Sequence, residues 1–332
     1  MTTVAAAPGR LSSDRLSEAY RVMRTIRALE ERLHEEHASG EIQGALHLYA
    51  GQEAIAAGVF AHLRRDDVVA GTHRSHGHAV AKGCDLTELV SEIYGRAPGL
   101  CGGKGGSMHV ADVSLGLLGA NGIAGGGVPL GCGAALSAKV RGSDQIAVAF
   151  VGDGGANQGA FLESLVLASV WRLPCVFVVE NNGYAQSTGA RFHLNGTDVS
   201  ARAPGFAMPG ETVAGDDFFA VYDAAGDAVE RARSGGGPTL LECKAPRFFG
   251  HMEGFDKQAY RGPGEVDRLR AEQDCIASFV DRVRESDALT AAAMAAIDES
   301  VAEQVDAAIA AARTAPEPDP VELATDVYAA DS

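Results

Sequence analysis

An acidic residue between glycines, Gly152-Asp153-Gly154, and a pair of amides, Asn181-Asn182, are the residues of this chain best placed to do chemistry together; twenty-nine positions separate Asp153 from Asn182. Each closes a short apolar run: Ile146-Ala147-Val148-Ala149-Phe150-Val151 leads into the first, Cys175-Val176-Phe177-Val178-Val179 into the second. One hard carboxylate and one neutral amide oxygen, converging beside glycines, suit a Mg²⁺ ion that is shared with a diphosphate. The glycines leave backbone N–H groups free to meet phosphate at the start of the following helix. An ordinary tight turn after a strand has the same Gly-Asp-Gly spelling, so that reading stays open on these residues alone. A dinucleotide-binding turn fits less well. The run Gly152-Asp153-Gly154-Gly155-Ala156-Asn157 lacks the third glycine of that fingerprint, and no Gly-x₄-Gly-Lys-Ser/Thr phosphate loop occurs.

The elements that must hold these residues follow from apolar periodicity. Both apolar runs read as buried strands and the segment between them as the helix of a βαβ unit. A right-handed crossover then sets the two loops at the carboxyl ends of neighbouring parallel strands, where α/β sheets bind ligands. Residues 14–38 read as an amphipathic helix with Leu16, Tyr20, Met23, Ile26, Leu29 and Leu33 on one face, and 52–63 as a second helix. Further strands are expected at 67–71, 211–214 and 239–243, with helices at 129–140 and from Phe218 to Val229. Beyond Gly264 the chain turns to densely charged helices with an apolar stripe (Val266, Leu269, Ile276, Phe279, Val283) that suits docking onto the rest of the protein. The run Ala315-Pro316-Glu317-Pro318-Asp319-Pro320 reads as an extended connector. The expected class is α/β: a mostly parallel sheet flanked by helices, with an N-terminal helix and a C-terminal helical extension. The expected organisation is a disordered tail over 1–13, a binding domain over 14–264 and the extension over 265–332.

Composition narrows the class. A chain of 332 residues with 46% apolar content buries a large core, and 41 glycines with 6% aromatics fit an α/β enzyme with many tight loops. The net charge of −16, with no compact basic stretch against it, argues against nucleic acid. Six scattered cysteines without a CxxC pair speak against thiolate metal sites and disulfide frameworks, and favour reduced, buried thiols in a cytoplasmic protein. No stretch approaches eighteen apolar residues, so no membrane association is expected.

Further segments occur in order around the central pair: Ala45-Leu46-His47-Leu48-Tyr49-Ala50-Gly51-Gln52-Glu53-Ala54, Thr72-His73-Arg74-Ser75-His76-Gly77, Gly102-Gly103-Lys104-Gly105-Gly106-Ser107-Met108-His109, Gly119-Ala120-Asn121-Gly122-Ile123-Ala124 with Val128-Pro129-Leu130-Gly131, and Gly250-His251. With the Gly152–Gly159 motif they make the chain similar to the alpha subunit of the thiamin-diphosphate-dependent, decarboxylating first component of 2-oxo-acid dehydrogenase complexes, of pyruvate or acetoin dehydrogenase type. The resemblance covers roughly residues 14–330.

That resemblance implies a thiamin-diphosphate-binding fold, thiamin diphosphate and Mg²⁺ as cofactors, and a set of site residues. Asp153 and Asn182 match side-chain metal ligands, and the backbone carbonyl of Tyr184 the third. Arg74 matches an arginine on the diphosphate, for which a guanidinium fork is suited. His73 stands where the family often has tyrosine, so an imidazole N–H would replace a hydroxyl. Gly122 and Ala124 match backbone positions beside the aminopyrimidine, Gly154 and Gly155 the diphosphate-facing turn, and His47 and His251 two histidines near the reacting carbon. Implied partners are a beta subunit, in an assembly of two alpha and two beta chains, and a lipoyl-domain acyltransferase or other acyl carrier.

The other histidines have plainer readings. His34, His37, His62 and His193 are expected to be satisfied polar groups. A zinc cluster of His73, His76 and His78 is disfavoured by Arg74 beside it, and His76 reads as a hydrogen-bond partner that orders its loop. Lys104 is left out of the site, and His109 stays open. The stretch Arg247-Phe248-Phe249-Gly250-His251-Met252-Glu253-Gly254-Phe255-Asp256 departs from the pyruvate-type pattern towards the acetoin-cleaving branch, and Phe249 is expected to enlarge an apolar wall. The expected activity is cleavage of a 2-oxo acid or α-hydroxyketone with transfer of the fragment to a carrier. Non-oxidative cleavage, or transfer of a two-carbon unit from a ketose, is the alternative.

Overall fold

A computed structural model describes residues 11–196, 198–255, 258–286 and 288–326 of the chain. Most of the expected N-terminal tail, and Asp256, lie outside the described residues. Helix α1 (Ser13–Ala38) begins at once, capped by the Ser12 hydroxyl, which accepts from the Arg15 N–H.

Six strands form one parallel sheet: β1 (Val68–Ala70), β2 (Leu117–Gly119), β3 (Ala147–Gly152), β4 (Cys175–Asn181) and, beyond a small hairpin of β5 (Tyr184–Ala185) and β6 (Thr188–Gly189), β7 (Gly210–Ala214) and β8 (Thr239–Lys244). Their order across the sheet is β2-β1-β3-β4-β8-β7. The register pairs Gly152 of β3 with Glu180 of β4, so Asp153 and Asn182 emerge from adjacent strand ends. This is the βαβ geometry expected from the two apolar runs. Strand β2 has no counterpart among the expected strands.

Each central strand is buried on both faces, which is why it reads as a continuous apolar run. Val148, Phe150, Val176, Val178 and Leu241 face a layer built from α1, α2 (Glu53–Phe60), α3 (His76–Lys82), α4 (Leu86–Ile93) and the later α8 (Phe218–Arg233). Ala147, Ala149, Val151, Phe177 and Val179 face α5 (Gly127–Arg141) and α6 (Gly159–Val170) on the other side. Helix α5 needs small residues for this: a Cβ on Gly131 would stand 2.9 Å from the Ala149 Cβ.

The C-terminal helices belong to the same core. After the one-turn α7 (Ala190–His193) and α8 come α9 (Glu265–Glu272), α10 (Cys275–Glu285) and α11 (Ala291–Thr314). Ile276, Phe279 and Val283 of the expected stripe are buried, with Phe279 stacked on Phe219 at 5.5 Å. Truncating a buried phenylalanine of this kind costs about 3–5 kcal/mol. Val266 and Leu269 stay half-buried. Arg27 ties α1 to α2 and α10 through Glu53 at 2.6 Å and Asp274 at 2.9 Å. Five of the six cysteines are buried, and all are free thiols. Among the described residues no helix is long and apolar enough to cross a membrane.

Candidate active site

The loops that leave the carboxyl ends of β1, β2, β3, β4 and β8 enclose a cavity of about 380 Å³. Its wall contains His73 and Arg74 after β1, Gly122 and Ala124 after β2, and Asp153, Gly154 and Gly155 after β3. It also contains Asn182 and Tyr184 after β4, His251 after β8, and His47 from the segment before α2. Every residue singled out from the sequence as a site residue therefore lines this one cavity, in the crevice where parallel sheets bind ligands.

At the β3–β4 end of the cavity, Asp153 is buried, and burial pushes its carboxyl pKa upward against the pull of His193. The His193 Nε2 lies 3.0 Å from Asp153 Oδ2. Asn182 donates from Nδ2 to Gln52 Oε1 at 3.0 Å, and its Oδ1 accepts from the Tyr184 N–H at 3.3 Å. Gly154 lets the turn close on the hairpin, since a Cβ there would meet the Ala185 Cβ at 2.5 Å. The helix that was expected to follow directly does not. A 3₁₀ turn, Gly155–Asn157, comes first and α6 starts at Gly159, so it is this turn, and not a helix start, that stands at the cavity, through Gly154 and Gly155. The neighbouring Asn181 turns away and donates to Glu242 at 2.6 Å.

Across the cavity, three imidazoles converge. Ring centroids of His47 and His73 are 4.6 Å apart, those of His47 and His251 4.9 Å, and those of His73 and His251 5.3 Å. Burial, helped by the Arg74 guanidinium, lowers the His47 pKa to about 2 and the His251 pKa to about 3, and holds His73 well below its ordinary value. All three are neutral at physiological pH. A ring nitrogen from each falls within 4.8 Å of the others. That spacing is within reach of a metal ion, but the cluster contains no carboxylate and has a buried guanidinium beside it. Its chemistry fits hydrogen bonding to oxygens better than holding a dication.

Arg74 is itself buried, its pKa lowered to about 9 by burial and by Arg247. Two of its donors are engaged by backbone, Nη1 with Leu48 O and Nη2 with His251 O at 2.8 Å. It thus ties the His47 and His251 segments together as well as facing the cavity. Sequence reading missed a second guanidinium, Arg247, which also lines the cavity. It is buried and anchored to Tyr260 OH at 2.5 Å and Gln186 O at 3.2 Å. Gln52 and Glu180 were missed as well. Glu180 accepts from Tyr49 OH at 2.5 Å and lies 2.9 Å from His78 Nε2.

Several expectations are corrected by side-chain direction. Phe249 does not line the cavity; it packs on His34 at 4.6 Å and under Arg270, so it enlarges no wall of the site. His193 is a satisfied polar group as expected, with Gly189 O and the Asp153 carboxylate as its partners. His76 does order its loop, bonding Glu30 at 3.0 Å and Ser107 Oγ at 2.9 Å. The glycines around Lys104 cradle no phosphate. Their N–H groups, at Gly103, Gly105 and Gly106 with Cys101, all donate to the buried Glu92 carboxylate at 2.7–3.0 Å. Lys104 pairs instead with Asp326 at 2.8 Å, and His109 Nδ1 lies 3.2 Å from the Gly105 carbonyl, to which it donates, outside the cavity wall.

Two buried polar atoms on the cavity wall, His47 Nδ1 and Gln52 Nε2, have no hydrogen-bond partner. Buried donors and acceptors are rarely left unpaired, so these two point to a polar ligand. With a carboxylate, an amide oxygen and glycine N–H groups at one end and neutral imidazoles at the other, the residues fit thiamin diphosphate carried on a divalent cation.

The profile of the dehydrogenase E1 component family matches residues 21–321. The chain is similar to the alpha subunit of acetoin:2,6-dichlorophenolindophenol oxidoreductase from Cupriavidus necator, 52% identical over 318 residues, covering 96% of this chain and 95% of that one. The corresponding subunit from Bacillus subtilis is 47% identical over 96% and 95%. A pyruvate dehydrogenase E1 component subunit alpha, from Rhizobium meliloti, is 40% identical over 93% and 89%.

Proposed function

The chain belongs to the dehydrogenase E1 component family, and from that premise we propose that it is the alpha subunit of a thiamin-diphosphate- and Mg²⁺-dependent enzyme that cleaves a small α-hydroxyketone. The donor is acetoin-like, in keeping with relatives that share about half of its residues. The fragment passes to a lipoyl or other acyl carrier. The observation that carries this reading is the convergence of Asp153 and Asn182, from adjacent strand ends, on a cavity whose far wall is three neutral imidazoles.

Asp153, Asn182 and the Tyr184 carbonyl would hold the cation, and Arg74, Arg247 and the Gly154-Gly155 turn the diphosphate. Bound there, thiamin diphosphate supplies a carbon nucleophile and an electron sink for cleavage beside a carbonyl. The chain's own residues do the rest. His47 and His73, neutral and largely shielded from water, donate hydrogen bonds where negative charge develops on the donor oxygen, and no reorganisation is needed at that moment. His251, beside them, serves proton transfer to the incoming carrier. Met108, Ile123 and Phe150 add apolar surface to the cavity lining. Ile123 is 72% exposed at the rim, in keeping with a site completed by a beta subunit, in an assembly of two alpha and two beta chains.

The test is turnover of the reconstituted alpha–beta pair with acetoin, pyruvate, a branched 2-oxo acid and a ketose, read with dichlorophenolindophenol as oxidant and then with a lipoyl domain. Acetoin is expected to be the preferred donor. Preference for a 2-oxo acid would overturn the donor assignment, and aldehyde release independent of any acceptor would overturn the carrier.

A further inference from the structure

We infer that His193 is a positioning residue for the cation site, and that it sets the direction in which Asp153 presents its carboxylate. The inference rests on the cofactor reading above, but it concerns a histidine that reading does not use.

The geometry is specific. His193 closes the one-turn helix α7, and its Nε2 sits 3.0 Å from Asp153 Oδ2. Among the described residues no other side chain bonds this carboxylate. Asp153 is 2% exposed and the His193 side chain 12%, so little water competes for the contact. The ring is fixed at its other edge too, with Nδ1 3.2 Å from Gly189 O. Of the two acceptors the ring nitrogens face, the Asp153 carboxylate is the stronger, so the tautomer with its N–H on Nε2, donating to Oδ2, is the one the contact favours.

The backbone under the ring is anchored to the same motif. Asn157, four residues beyond Asp153, donates from Nδ2 to His193 O at 2.9 Å. Arg202 then braces that asparagine, through Asn157 Oδ1 at 2.7 Å and Ala156 O at 2.7 Å. The Ala190 N–H reaches back to Gly183 O at 2.8 Å, directly after Asn182. One loop therefore links both metal-facing residues, and His193 is its contact with the carboxylate.

A carboxylate that can rotate offers either oxygen to an ion. One whose Oδ2 contacts the His193 ring is fixed in rotation, and Oδ1 is left as the oxygen without a side-chain partner among the described residues. Outer partners of this kind orient the ligand before the metal arrives, and their loss typically costs about 10–100-fold in metal affinity. His193 touches no donor substrate in this account, so its loss is expected at the cation and the cofactor, and not in the chemistry of a saturated site.

The experiment uses the reconstituted alpha–beta enzyme, with Mn²⁺ as a spectroscopic probe read by electron paramagnetic resonance and thiamin diphosphate affinity read by calorimetry. His193→Ala is expected to weaken Mn²⁺ binding in the presence of thiamin diphosphate by about 10–100-fold. His193→Gln, whose amide N–H can reach the same oxygen, is expected to recover most of that loss. Melting temperature is followed in both variants. Mn²⁺ affinity unchanged in His193→Ala would overturn the inference. So would equal losses in the two variants, tracking a common fall in melting temperature, because the role would then be structural only. Wild-type enzyme that binds thiamin diphosphate without any divalent cation would instead defeat the cofactor reading itself.

Discussion

Holding His47 neutral has a cost that acid should expose. Burial first, and then Arg74, His73 and His251, push its pKa from 6.5 to about 2. In the unfolded chain the same imidazole titrates at about 6.5. Between those two values the unfolded state binds a proton that the folded state refuses, so stability falls as pH drops below about 6.5 and is unaffected above it. The slope is about 1.4 kcal/mol per pH unit, so moving from pH 7.5 to pH 5 costs about 2 kcal/mol through His47 alone. His73 acts in the same direction, as does the more exposed His251 with a smaller effect. The assay is chemical denaturation of the cofactor-free protein at both pH values, for wild type and His47→Gln. Wild type is expected to lose several kcal/mol on acidification, and the variant about 2 kcal/mol less. Parallel losses in the two proteins would refute the claim that the cavity holds His47 uncharged.

Two further predictions concern the loops. His251→Ala should damage acylation of the carrier far more than donor cleavage measured with an artificial oxidant, because one positioned proton relay is worth about 10²–10⁴-fold; equal losses in both half-reactions would assign His251 to the earlier carbonyl step. Glu92→Ala should destabilise the protein by more than about 3 kcal/mol and raise hydrogen exchange over residues 101–106, since four N–H groups lose their acceptor together. A loss below about 1 kcal/mol by denaturant titration would mean that water replaces the carboxylate there.

Much of the site was legible because it rests on short-range patterns. The runs before Asp153 and Asn182 are continuous and apolar since both faces of β3 and β4 are buried, and that places their loops side by side. Strand β2 was not legible: two leucines between Gly116 and Gly119 carry no periodicity, and only pairing with β1 makes them part of a strand. Arg247 and Gln52 escaped for another reason. An arginine or glutamine in a loop reads as a solvated group until the fold brings Tyr260 and Gln186 to the one and Asn182 to the other. His193 reads correctly as a satisfied polar group, but its partner, forty residues away at Asp153, was not legible. Phe249 shows the converse error. Its neighbour His251 points into the cavity, but Phe249 turns outward onto His34, and loop residues two apart have no strand geometry to fix their sides.

The central claim is that Asp153 carries the cation on which the diphosphate is held. Calorimetric titration of thiamin diphosphate into the reconstituted alpha–beta enzyme, with Mg²⁺ and then with the ion chelated, tests it in wild type and in Asp153→Ala. Wild type should bind tightly only with Mg²⁺, and the variant should lose more than about 100-fold in affinity, because the proposed ligand set loses its carboxylate. Unchanged affinity in Asp153→Ala with Mg²⁺ present would contradict the account.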